Sequence, residues 1–170
     1  MYSIDVNYDI LIETFEESKG EVTDTDMKAK LAGVLSVMRT FDYYYGLKLS
    51  YLILSQTDNL SKSLQAAKLS ASEGHQLVNM TVNTLETKIT DQKFTEFWDM
   101  VTSDAIKHNI DEPLLPRKRK RPAKVKDFFS PLKEFSNEVE YYKYHYFNAL
   151  NVIIKMIKER FYLLDKEINT

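Results

Sequence analysis

Residues 27–53 read MKAKLAGVLSVMRTFDYYYGLKLSYLI, and the spacing of the apolar positions decides the fold class. Leu31, Val34, Leu35, Met38, Phe41, Tyr45, Leu49, Leu52 and Ile53 recur in steps of three and four. That period lays one apolar stripe along a helix. It predicts a single long helix from Met27 onward, with Gly46 as a weak point costing about 1 kcal/mol relative to Ala.

The same pattern extends in both directions. Upstream, Ile4 to Glu17 carries Val6, Ile10, Ile12 and Phe15 among acids and reads as a short helix. Gly20 ends it, and Thr23-Asp24-Thr25-Asp26 offers N-cap side chains for the next. Downstream, a turn is expected near Ser55-Gln56-Thr57, then a short helical piece through Leu60 and Leu64. Ser70-Ala71-Ser72-Glu73 has the form of a capping box, in which Ser70 and Glu73 each satisfy a free backbone N–H. Helix then continues through Leu77, Val78, Val82, Leu85 and Ile89, and Asp91 is placed to cap another carrying Phe94, Phe97, Trp98, Val101 and Ile106.

All four prolines, Pro113, Pro116, Pro122 and Pro131, lie close together, which marks a non-helical connection. Beyond it, Phe135 to about Leu164 places Val139, Tyr142, Tyr146, Leu150, Ile153, Ile157 and Phe161 on one helical face. Few stretches alternate as a strand must. The expected fold is all-α: a bundle of long helices with one Pro-rich basic loop and no sheet. Residues 1–112 form the bundle, 113–134 the linker, and 135–170 a long helix packing back on the bundle, one domain overall.

Composition agrees with a globular chain: 170 residues, 44 % hydrophobic and 28 % charged. The absence of Cys excludes a disulfide framework, thiolate zinc sites and Cys nucleophiles, and it fits an intracellular protein. The N-terminus lacks the pattern of a secretory signal, and no window has the roughly 18 uninterrupted apolar residues of a membrane span. The patterns at Asn59 and Asn79 are therefore read as accidental glycosylation matches.

Charge is where the sequence becomes specific. Net charge is −2, but Arg117, Lys118, Arg119, Lys120, Arg121, Lys124 and Lys126 are seven of the 23 basic residues and have no acid among them. The remainder carries 16 basic against 25 acidic groups, a balance of −9. Five consecutive cations between Pro116 and Pro122 repel one another and cannot be packed into a core. Such a run serves as a nuclear import signal or contacts nucleic-acid phosphates. Import is the leading reading, phosphate contact the second and a solvated loop the third.

Other chemistry finds little support. His75, His108 and His145 lie in different predicted helices, none with a second His three or four residues away, so no metal is expected. Asp5, Asp9, Glu13, Glu16 and Glu17 form an acidic surface with no partner base. The four glycines are too scattered to cradle a phosphate, and no Ser is flanked as in a nucleophile elbow. No cofactor is expected. Tyr43-Tyr44-Tyr45 and the run Tyr141 to Tyr146 could stack bases, but helix packing is the better account, and Trp98 reads as a core anchor.

The order of these features resembles a known family. Val37 to Leu49, followed by Ile53 to Gln65, is similar to the helical insertion of hAT transposases, nearest the zinc finger MYM-type-like branch. A Phe-x-x-Phe-Trp helix (Phe94 to Trp98), a Pro-Arg-basic-Pro loop (Pro116 to Pro122) and an aromatic helix with a Tyr-Phe pair (Tyr146-Phe147) follow in the same order. Asn7 to Glu17 also fits, so the likeness covers nearly the whole chain. The family transposes DNA through a ribonuclease H-like core whose Asp, Asp and Glu hold divalent metals. The resemblance implies that those acids fall outside 1–170, and no residue here matches them. What it implies is a transposon-derived, non-catalytic helical domain, nuclear with some cytoplasmic pool. Its partners would be an import receptor, DNA held weakly and salt-dependently, and further copies meeting through uncovered apolar faces, with no membrane role. The alternative is a helical protein–protein adaptor with no DNA role.

Overall fold

The computed structural model describes residues 7–65, 70–117 and 134–168. Six helices carry the chain: α1 (Tyr8–Glu21), α2 (Thr25–Met38), α3 (Phe41–Leu64), α4 (Ala71–Glu86), α5 (Asp91–Lys107) and α6 (Glu138–Ile168). The described residues are 81 % helical and contain no strand, so the fold is an all-α bundle. Far-UV circular dichroism should accordingly be dominated by helix, far above the ~30–35 % of an average domain. A strand-dominated spectrum would contradict the fold.

The stretch expected to be one helix is two. Arg39 closes α2, and Thr40 adopts an extended conformation with φ −76° and ψ 143°. The Thr40 hydroxyl accepts from the Tyr43 N–H at 3.3 Å and donates to the Val37 carbonyl at 2.7 Å. Met38 and Phe41 are three apart, so the apolar period passes through the break without a signature. Thr40 as N-cap, with Asp42 in the first turn of the next helix, is the signal that marks it.

The turn expected at Ser55-Gln56-Thr57 is absent, and α3 runs on to Leu64. Ser55 and Thr57 donate their hydroxyls to the carbonyls of Leu52 and Leu54 (3.1 and 3.2 Å), a helical arrangement that removes their reason to form a turn. Gly46 sits inside this helix without breaking it, and Gly20 is the penultimate residue of α1 rather than its end. The caps at Asp24 and Ser70 form as expected, the second as a full capping box. Thr90, not Asp91, caps α5. Val6 and the proposed helix start at Ile4 lie outside the described residues.

The long α3 is the hub, packing on α2, α4, α5 and α6, while α1 pairs with α2 and α4 with α6. One apolar cluster runs through all six helices from Tyr8 to Ile154. Its centre is aromatic: Phe41, Tyr45, Phe97, Trp98, Tyr142 and Tyr146 meet with ring centroids 4.7–6.3 Å apart. Tyrosine suits these positions because each hydroxyl reaches a polar atom on another segment. Tyr8 donates to the Met38 carbonyl at 2.6 Å, Tyr45 to the Tyr142 carbonyl at 2.9 Å, and Tyr146 to the Lys88 carbonyl at 3.2 Å. Burial raises the pKa of all three, Tyr146 to about 12.

The end of α5 is tied down twice. Asn109 takes the left-handed conformation (φ 51°), and the Ile110 and Asn109 N–H groups donate to the carbonyls of Ala105 and Ile106. This is a Schellman cap with Asn where glycine is preferred. Asn109→Gly is expected to raise the unfolding free energy by a few tenths up to about 1 kcal/mol, and Asn109→Val to lower it by about 1–2 kcal/mol. Denaturant melts of the two variants check the opposite signs. Beyond the cap, the Asp111 N–H donates to the Arg39 carbonyl at 2.9 Å, so the following segment is steered across the α2–α3 junction.

Candidate functional site

Arg117 is the one residue of the candidate basic run that is described. It is exposed, non-helical and directly follows Pro116. Lys118, Arg119, Lys120, Arg121, Lys124 and Lys126 lie outside the described residues. What is described is the ground from which the run departs and to which the chain returns. The Tyr142 hydroxyl donates to Asp42 Oδ1 at 2.5 Å, and the Leu114 backbone lies near enough to favour its ionised form. The chain re-enters at Glu134 and Phe135, and the Phe135 ring meets Tyr141 and Tyr144 at 5.3 and 5.4 Å. The described residues that flank the proline-rich connection, Leu114 and Phe135, both lie near the N-terminal part of α6.

The two tyrosine clusters divide by helical geometry. Tyr44, Tyr45, Tyr142 and Tyr146 are buried and belong to the core, as packing requires. Tyr43 and Tyr144 are exposed, at 40 % and 38 %, and Tyr141 is half-buried. Tyr141, Tyr144 and His145 form an aromatic surface with Phe135 that joins the core through the Tyr141–Tyr142 contact at 5.0 Å. The i, i+3, i+4 spacing of Tyr141, Tyr144 and His145 was the available signal for that surface. Burial holds the His145 imidazole below its ordinary pKa, against the pull of the Asp42 charge. Trp98 packs against Phe41 and Phe94, a core anchor as read from the sequence.

His108, Asp9 and Glu16 have structural partners, and Asp5 lies outside the described residues. His108 Nδ1 lies 2.8 Å from Asp9 Oδ1, with its ring against Tyr8 and Tyr44, which joins the end of α5 to α1. Glu16 binds the Arg39 guanidinium. His75 borders an open groove of about 470 Å³ between α4 and α6, with Val78, Val82, Lys158 and Phe161. Among the described residues no group of three or more His, Asp or Glu could hold a metal ion, and no helix is long and apolar enough to cross a membrane.

Lys48 is the one buried charged residue among those described, and its Nζ meets Asp104 Oδ2 at 3.0 Å while Lys107 meets Oδ1 at 2.9 Å. Burial opposes ionisation of Asp104, but the hydrogen bonds and charges of Lys107 and Lys48 outweigh it and hold the carboxyl below its ordinary pKa. A depressed folded-state pKa gives stability that is present above the unfolded value near ~4 and is lost as pH falls through the folded one. Asp104→Asn should therefore cost on the order of 1–2 kcal/mol at pH 7 and progressively less below about pH 4. Equal losses in urea melts at pH 7 and pH 3 would contradict this pairing.

No protein-family model matches the chain, and no solved structure matches it. Within the stretches that carry the hAT resemblance, Phe41, Tyr45, Phe94, Phe97 and Tyr146 are buried.

Proposed function

We propose that this chain is a non-catalytic helical domain of the hAT transposase-like kind, acting in the nucleus by contacting protein or DNA. One observation carries the reading: seven basic residues and no acid stand within 117–126, while the rest of the chain has a balance of −9. An acidic helical body with a single concentrated cationic segment has one means of meeting an import receptor or a phosphate backbone, and that is the segment. The ordered likeness from Asn7 to Phe147 supports the transposon-derived origin.

A salt titration of duplex DNA binding by the full chain tests the nucleic-acid arm. Neutralising up to seven phosphates gives a log K against log salt slope as steep as about −6. The expected result is weak binding with a slope of about −4 to −6 that becomes shallower by roughly one for each Lys or Arg of the run replaced. Absent binding, or binding unchanged by salt, leaves the helical adaptor with no DNA role as the better account.

A further inference from the structure

We propose that the α1–α2 hairpin is an arm that two copies of this chain exchange, with Thr40 as the hinge that straightens to join α2 and α3 into one helix. A single residue interrupts the helical path: Arg39 is already right-handed helical (φ −78°, ψ −9°), and only Thr40, at ψ 143°, departs from it. Neither is proline or glycine, and no proline stands anywhere in 25–64. The bent and straight forms compete for the same atoms. In the bent form the Arg39 carbonyl accepts from the Asp111 N–H at 2.9 Å, and the Tyr43 N–H donates to the Thr40 hydroxyl at 3.3 Å. In a continuous helix the Tyr43 N–H donates to the Arg39 carbonyl instead. The Phe41 N–H likewise takes the Val37 carbonyl, to which the Thr40 hydroxyl donates in the bent form. Each arrangement excludes the other, as a two-state hinge requires.

The apolar stripe selects a second copy as the partner. Val34 and Val37 are 44 % and 53 % exposed on the bent chain. In a continuous helix Val34, Val37, Phe41 and Tyr45 recur at steps of three and four, so the exposed valines come into line with two core aromatics. A lone straight chain would carry that stripe into water, together with the Tyr8 ring, which the bent form buries against Tyr44 and His108. A second straight chain covers both, because its own hairpin has left the same seat vacant. The Asp9–His108 contact at 2.8 Å and the Tyr8–Tyr44 ring contact at 5.1 Å are then remade between chains. The exchange is reciprocal, so it closes with two-fold symmetry. The hairpin travels as a unit, since Tyr8 bonds the Met38 carbonyl and Glu16 binds Arg39 within it.

The exchange uses none of residues 117–126, so it stands or falls apart from the proposed function. Size-exclusion chromatography with light scattering, on the full chain refolded from urea over a range of concentrations, should show a dimer whose share rises with concentration. Thr40→Ala removes the cap of the bent form, and two bent chains are lost for each dimer formed. Its dimerisation constant should therefore rise on the order of tenfold to thirtyfold. Thr40→Ser, which keeps the hydroxyl, should match the unaltered chain. Because the chain has no Cys, Asp9→Cys and His108→Cys placed together in one chain give a specific pair for a short bismaleimide. Crosslinking the isolated dimer and then denaturing it should yield covalent dimers. Crosslinks confined to single chains would overturn the proposal, since the two copies would then meet by another surface. Chains that stay monomeric at every concentration, with the unaltered hinge or with Thr40→Ala, would overturn it as well.

Discussion

Tyr142→Ala is expected to lower the unfolding free energy by about 3–5 kcal/mol, the range for removing a large buried ring. For a chain of this size the melting temperature should fall by roughly 10 °C. The ring is 2 % exposed and meets Phe41, Tyr45 and Trp98, so its loss opens a cavity where α3, α5 and α6 converge. The hydroxyl also joins α6 to Asp42 of α3. Tyr142→Phe separates the two contributions. Asp42 is exposed and regains water when the hydroxyl is removed, so this variant should cost only about 0.5–1.5 kcal/mol. Losses of similar size for the two variants would mean that the hydrogen bonds, and not the aromatic packing, hold α6 in place.

Helix type and the buried stripe were legible in the sequence because they rest on period alone. Phe41, Tyr45, Leu49 and Ile53 on α3, and Tyr142, Tyr146 and Leu150 on α6, are buried where the period puts them. The boundaries were less legible. The break at Thr40 falls between two apolar residues in phase, and Ser55 and Thr57 look like turn formers until their hydroxyls are seen bonded to their own helix. Some faces were assigned too widely as well. Ile10, Val34 and Val139 fit the apolar period yet are 58 %, 44 % and 40 % exposed.

The candidate site was legible only as charge. Composition isolates the basic run, since nothing else in the chain concentrates cations. It does not reveal that Leu114 and Phe135, on either side of the undescribed stretch, lie near one part of α6. Leu114 is separated from Tyr142 by the whole proline-rich connection, so no local spacing encodes that proximity, whereas Phe135 and Tyr141 are only six residues apart. The two roles of the tyrosines were likewise hidden. Adjacent tyrosines on a helix point about 100° apart, so one run supplies both core and surface.

In the proposed function the cationic segment, and not the helical body, meets the partner. Fusing Leu115–Lys126 to a cargo too large to diffuse through nuclear pores tests it most directly, because the 19.9 kDa chain alone could diffuse through. The intact segment should move the cargo into nuclei. An import receptor binds extended Lys and Arg side chains through acidic and aromatic pockets, so replacing Lys118, Arg119 and Lys120 with Ala removes the middle of the recognised run. Nuclear accumulation should then fall at least about tenfold, since two or more charge-assisted contacts are lost. DNA binding of the full chain carrying the same three replacements should weaken, with a salt slope shallower by about three, but persist through Arg117, Arg121, Lys124 and Lys126. Nuclear cargo with the intact segment and cytoplasmic cargo with the triple replacement is the predicted outcome. Cargo that stays cytoplasmic with the intact segment would contradict import and leave phosphate contact or a solvated loop as the account of the run.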